Sequence, residues 1–232
     1  RNLIYPIKQG LFVHIYPDPT GERDYYIPIT PDLTVELGGL MEAIDLKLLD
    51  YAVEIGQAEG EERVRVFLRC LDKICTTRPG LSNGSIHVTP AQMEAIRYLT
   101  IRDKVGLGIL EPLILDSYIE DISCSGMGNI FVEHKIFKST KTSIVFTSLD
   151  ELDAFVVWLG ERIKRPVTLR MPIVDAVLPD GSRINIVYGR DIAKRGSNFT
   201  IRKFAEEPLS IVKLIEYGSL TYVMAAYLWM VI

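Results

Sequence analysis

The chain has 232 residues, 48% hydrophobic, 24% charged and 9% aromatic, a balance that supports one or two domains with real cores and excludes wholesale disorder. Its net charge of −4 is unevenly spread: residues 160–205 hold ten Lys/Arg against four Asp/Glu, so a segment of +6 sits in a remainder of −10. That pattern argues for a local anionic ligand and against a surface coated with nucleic acid.

Three cysteines (Cys70, Cys75, Cys124) are an odd number without metal-type spacing, which points to a reduced, cytosolic compartment, with Cys70 and Cys75 packed in a helical pattern. There is no signal peptide and no apolar run of about 20 residues, so no membrane span is expected. The chain starts at Arg1 and stops within the apolar run TYVMAAYLWMVI, and the expectation is a fragment whose next domain begins there.

In chain order, residues 3–29 predict strands around a turn, with Leu11, Val13 and Ile15 alternating and Pro17–Gly21 breaking the run before Tyr25–Ile29. Helical spacing follows at Leu40, Ile44, Leu48, Tyr51 and Ile55, then at Val64, Phe67, Leu71 and Ile74. The loop TTRPGLSNGS leads to Thr89-Pro90-Ala91-Gln92, a capping box with proline at the first helical position. From about Leu110 the period shortens. Ile119–Cys124, Ile130–His134 and Thr142–Phe146 read as strands, and Ser148 with Glu151 caps a helix with a stripe of Leu149, Leu152, Phe155, Leu159 and Ile163. Strands at Ile173–Leu178, Arg183–Tyr188 and Phe199–Phe204 complete a β-β-β-α-β-β-β order. The fold class is α+β: an N-terminal helical unit with short strands (1–108), an antiparallel sheet backed by a helix (109–206), then a linker from Pro208 and an apolar helix (207–232).

The chemistry concentrates in LPDGSRINIVYGRDIAKRGSNFTIRKF, with Arg170 just upstream. Arginine presents a permanently charged planar fork suited to phosphate. Asp180-Gly181 signals a hairpin. On the strand after it, Arg183 and Asn185 share one face opposite Ile184 and Ile186, and on the later strand Thr200 and Arg202 share one face opposite Phe199 and Ile201. Two forks converging on one face suit a triphosphate tail. Arg190, Lys194 and Arg195 lie on the intervening loop, where charge is cheap, and any single arginine of the group also reads as a solvated charge paired with Asp175, Asp180 or Asp191. His14, His87 and His134 are isolated, Glu120-Asp121 reads as a solvated pair, and SGMGN at 125–129 opens no helix and so is a turn. No G-x-x-x-x-G-K-[ST] occurs, so these residues alone build no P-loop.

LEPLILDSYIEDISCSG, PIVDAVLPDGSRINIVYG and RGSNFTIRKF followed by MAAYLWMVI resemble the N-terminal region of archaeal type II/IV secretion-type ATPases, and within them are most similar to the archaellum motor and assembly ATPase. The resemblance covers residues 105–232 closely and the helical unit loosely. It implies a hexameric cytoplasmic ATPase docked under a polytopic membrane platform protein, beside other motor components. A RecA-like domain would lie beyond the fragment. ATP would sit between the two regions, with Mg2+ held mainly by the domain beyond. Carried over, Arg183 of the DGSR turn and Arg202 of the FTIRK strand contact the phosphates, with Arg195 and Arg170 secondary. The Walker lysine, metal ligands and catalytic glutamate are absent, so the fragment should bind ATP weakly and not hydrolyse it. An archaeal pilus or secretion ATPase, a docking module without a nucleotide role, and a nucleic-acid binder using the +6 segment are the rival readings. The scarcity of aromatic residues among the basic ones argues against the last.

Overall fold

The computed structural model describes residues 2–78, 84–204 and 210–231. Alternating residues build β1 (Leu3–Lys8), β2 (Leu11–Tyr16) and β3 (Tyr25–Ile29). On β2, Leu11, Val13 and Ile15 are buried while Phe12 and Tyr16 are exposed. The sequence indicates one turn in this stretch; a second lies at Gly10, whose φ of +76° favours glycine.

Helix α1 (Leu40–Leu48) runs through a short 3-10 turn into α2 (Ala52–Gln57), and α3 (Gly60–Ile74) packs on both. Ile44, Leu48, Ile55, Phe67, Cys70, Leu71 and Ile74 form this unit's own core. Cys75, expected within the helical pattern, instead stands in β4 (Cys75–Thr76), paired in parallel with β5 (Ile86–His87). Helix α4 (Pro90–Lys104) starts as its capping box requires: Gln92 N donates to Thr89 Oγ1 at 3.2 Å and Thr89 N to Gln92 Oε1 at 3.0 Å.

A short α5 (Glu111–Leu115) leads into β6 (Ile119–Cys124), β7 (Gly128–His134), β8 (Lys138–Phe146), α6 (Leu149–Arg162), β9 (Ile173–Val177), β10 (Arg183–Val187) and β11 (Asn198–Arg202), the expected order of an α+β fold. The cap of α6 is half a box. Glu151 N donates to Ser148 Oγ at 3.1 Å, but the Glu151 carboxylate accepts from Thr147 N and Oγ1, both at 2.9 Å. The linker start expected at Pro208 lies outside the described residues; beyond it come α7 (Ile211–Glu216) and α8 (Tyr222–Val231).

Nine strands form one sheet in the order β1-β2-β3-β8-β7-β6-β11-β10-β9. The expected purely antiparallel sheet is therefore larger and mixed: β3 pairs with β8 in parallel, through Tyr25↔Lys141 and Tyr26↔Thr142. The first three strands also differ from the expected boundary at residue 108, because they extend the later sheet and share its core through Val13, Ile15 and Tyr26. The physical reason is the edge of β8, which would otherwise present unpaired backbone groups. One face of the sheet is covered by α6, where Leu152, Val156 and Leu159 are fully buried and Phe155 meets Phe146 and Phe199 at 5.2 and 5.8 Å. On the opposite face of β9–β11, Asp175, Val177, Arg183, Thr200 and Arg202 are exposed.

Candidate phosphate-contact site

The hairpin turn that sets the site is built from its own sequence. Gly181 takes φ +85°, and Asp180 accepts from Ser182 N (3.0 Å) and Ser182 Oγ (2.7 Å). Phe204 N donates to Ser182 Oγ at 3.2 Å, tying the end of β11 to the start of β10. Strand register then places Arg183 directly opposite Arg202, and Asn185 opposite Thr200, with Ile184↔Ile201 and Ile186↔Phe199 turned to the core. The period-2 expectation holds for both arginines: they share the outer face. Like charges directly opposite each other cost a sheet roughly 0.2–1 kcal/mol, so packing alone does not favour the pair.

Asp121 of β6 is the next residue in the row and lies 3.4 Å from Arg202 Nε, whose side chain is 78% exposed. An ion pair so solvated contributes little and is easily exchanged for a ligand. Arg183 has no ion pair among the described residues; its neighbour on β9 is Val177. Asn185 Nδ2 donates to Asp175 Oδ1 at 2.7 Å, closing the side of a shallow open hollow of about 570 Å³ that both arginines line.

The other basic residues are not brought here. Four residue steps separate Arg202 from Asn198, about 13 Å along the strand, and Arg195 lies further still. Arg170 precedes β9 at that same far end, where Tyr188 N donates to Pro172 O at 2.7 Å. Arg190 is taken up by α6, with Nη2 2.7 Å from Asp150 and Nε 4.0 Å from Asp153, rather than by Asp175, Asp180 or Asp191. Arg195 and Lys194 instead border a separate hollow with Met127, Asn129 and Phe131. The basic segment thus splits into two poles, one holding Arg183 and Arg202, the other Arg170, Lys194 and Arg195.

Among the remaining candidates, SGMGN is the β6–β7 turn, with Gly126 and Gly128 at φ +124° and +119°. Asp121 is paired as described, and the histidines gather no metal set: among the described residues no three His, Cys, Asp or Glu side chains converge. His134 is part of a polar cluster that has no signal in the sequence, because its members are up to 129 residues apart. Asp116, 1% exposed, accepts from Tyr5 Oη at 2.6 Å and Tyr26 Oη at 2.8 Å on one oxygen, and from Tyr118 N at 2.9 Å on the other. His134 Nδ1 accepts from Ile136 N and Phe137 N at 3.1 and 3.3 Å. Nδ1 is therefore unprotonated, and Nε2 carries the proton it donates to Tyr5 Oη at 3.1 Å. Burial pushes both tyrosine hydroxyls far above their usual range, Asp116 reinforcing it, and burial also lowers the His134 pKa. The cluster is a neutral-histidine, structural network and not an acid–base pair open to substrate.

No family model matches the chain. Three curated proteins of Methanocaldococcus jannaschii do, each named only as uncharacterized. MJ0900 is 38% identical over 243 residues, covering 99% of this chain and 44% of that protein. MJ1288 is 43% identical over 97 residues (41% and 38%), and MJ0781 is 37% identical over 124 residues (53% and 17%). The chain spans less than half of each relative. Among solved structures, the VirB11 ATPase of the Brucella suis type IV secretion system is similar at 22% identity and a TM-score of 0.38, over 49% of this chain and 34% of that one, a likeness too partial to assign a fold. Among the described residues no helix is long and apolar enough to cross a membrane.

Proposed function

We propose that the chain is the phosphate-contacting N-terminal region of a type II/IV secretion-type ATPase, the one that assembles and rotates the archaellum. The observation that carries this reading is the in-register Arg183–Arg202 pair on an exposed sheet face, with one arginine weakly paired and the other without an ion-pair partner among the described residues. A stability-driven sheet would put a threonine or valine there. The sequence motifs around both arginines supply the ATPase assignment.

In this reading ATP and Mg2+ are held mainly by residues outside the chain. The two guanidinium forks approach the β- and γ-phosphates from the sheet face and neutralise charge that builds up as the terminal phosphoryl group departs. Closure on ATP and release after hydrolysis give a two-state motion. Arg195 and Arg170, at the opposite pole, stand outside this clamp. The full protein works as a cytoplasmic hexamer at the inner face of the membrane, against a polytopic platform protein and the other motor components.

The test is steady-state ATPase activity of the longer natural protein. Arg183→Ala and Arg202→Ala should each lower turnover on the order of 100-fold or more, while leaving the unfolding midpoint unchanged or slightly raised. Wild-type turnover in both variants refutes the assignment.

A further inference from the structure

A cavity of about 720 Å³ opens where the helical unit meets the sheet. Its walls are the β1–β2 turn, α3, α4 and α5. Leu11, Val64, Leu68, Met93, Ile101 and Leu115 make much of the lining apolar, and the volume is that of a small-molecule site rather than of a packing defect. Arg97 and Arg102 line it too but are already satisfied. Arg97 Nη2 lies 2.6 Å from Asp72, and Arg102 binds Asp103 through Nε and Nη2 at 2.7 and 3.0 Å while lying over the Tyr98 ring.

Other groups of the same cavity are not satisfied. Glu111, half-buried, accepts from Leu107 N on one oxygen at 2.8 Å, and its other oxygen has no partner among the described residues. Burial raises the pKa of this carboxyl, against smaller opposing pulls from the Leu107 hydrogen bond and the Lys8 charge. Tyr98 Oη is buried without a hydrogen-bond partner. Lys8 and Glu94 are exposed at the mouth, and neither makes an ion pair among the described residues. Glu94 leans on the β1–β2 turn, where a Cβ at Gly10 would come within 2.6 Å of its carboxylate. Folding gains nothing from a buried hydroxyl and a carboxyl oxygen left unpaired, whereas a ligand uses both.

We propose that this cavity binds an apolar zwitterion, a hydrophobic amino acid or a short peptide of such residues. Glu111 and Glu94 take the ammonium group, with Tyr98 Oη accepting one of its hydrogens, Lys8 takes the carboxylate, and the apolar lining takes the side chain. Unpaired charges of both signs in one apolar cavity select for a ligand that carries both, because a molecule with one charge leaves a protein group without its partner. No residue of this lining belongs to the hollow of Arg183 and Arg202, so the site stands without the nucleotide reading.

Isothermal titration calorimetry of the chain with L-leucine and with leucyl-leucine tests this. At least one should bind, and its N-acetylated and C-amidated forms, each lacking one charge, should bind about tenfold or more weakly. Tighter binding of leucyl-leucine assigns the site to peptides, and tighter binding of leucine assigns it to free amino acids. Glu111→Gln, which keeps an acceptor for Leu107 N, and Lys8→Met should each weaken binding about tenfold. Tyr98→Phe should weaken it as well while leaving the urea midpoint unchanged or raised, since the hydroxyl removed has no partner. No binding of either zwitterion at millimolar concentration, modified forms that bind as tightly as their parents, or variants that bind as the wild type does would each overturn the assignment.

Discussion

Tyr26→Phe removes one oxygen atom from the core and isolates what it does. Tyr26 is fully buried on β3, and its hydroxyl donates at 2.8 Å to the carboxylate of Asp116, which lies between α5 and β6. A hydrogen bond to a charged group contributes about 1.5–3 kcal/mol. Asp116 keeps Tyr5 and Tyr118 N as donors in the variant, so the loss should fall near the lower end, about 2 kcal/mol. For a chain of this size that corresponds to a fall in melting temperature of about 4–8 °C. Urea unfolding at neutral pH measures it, with an unchanged m-value showing that the unfolding unit is the same. Tyr5→Phe should cost a similar amount. The double variant should cost about 1 kcal/mol more than the sum, because Asp116 then has no side-chain donor and remains buried. A loss under about 0.5 kcal/mol for Tyr26→Phe, or strict additivity, refutes the view that these groups form one network.

Two further outcomes follow from named contacts. His134 is buried neutral, so the unfolded chain binds its proton more readily than the folded one; stability is fully present above the ordinary histidine pKa of about 6.5 and declines as the pH falls below it. His134→Asn, which keeps an acceptor near Ile136 N and Phe137 N, should flatten the stability–pH curve below about pH 6.5; an unchanged slope refutes the assignment. Gly126→Ala would set a methyl group 2.5 Å from Arg195 O at φ +124°, so it should displace the β10–β11 loop and cost about 1–3 kcal/mol by chemical denaturation, whereas a neutral substitution would show the approach to be loose.

The sequence announces local features well. Alternation finds β6 through β11 and the exposed faces of Arg183 and Arg202, because the pleat has a period of two whatever the partner strand. The box at Thr89 and Gln92 is read correctly, since cap and partner are three residues apart. Long-range pairing is silent. Nothing in Tyr25–Ile29 says that it joins β8 in parallel more than a hundred residues later, and nothing near Asp116 says that two tyrosines and a histidine converge on it. The grouping of the arginines is half legible: the period of two gives the shared outer face of Arg183 and Arg202, but their register across the long β10–β11 loop, and the placement of Arg170 and Arg195 at the opposite end, depend on how the strands fold back. Arg190 carries no mark that its carboxylates come from α6.

The parallel junction makes the helical unit an insertion. The chain leaves the sheet after β3, builds α1–α4 with their own core, and returns to the same sheet through α5 and β6. A truncation at the apparent boundary near residue 109 would therefore cut through a domain. It would strip β1–β3 from the edge of β8, take both tyrosine donors from Asp116, and leave a strand edge free to pair with whatever chain came near. The cut that respects the architecture removes the helices and joins β3 to α5, keeping all nine strands in one piece.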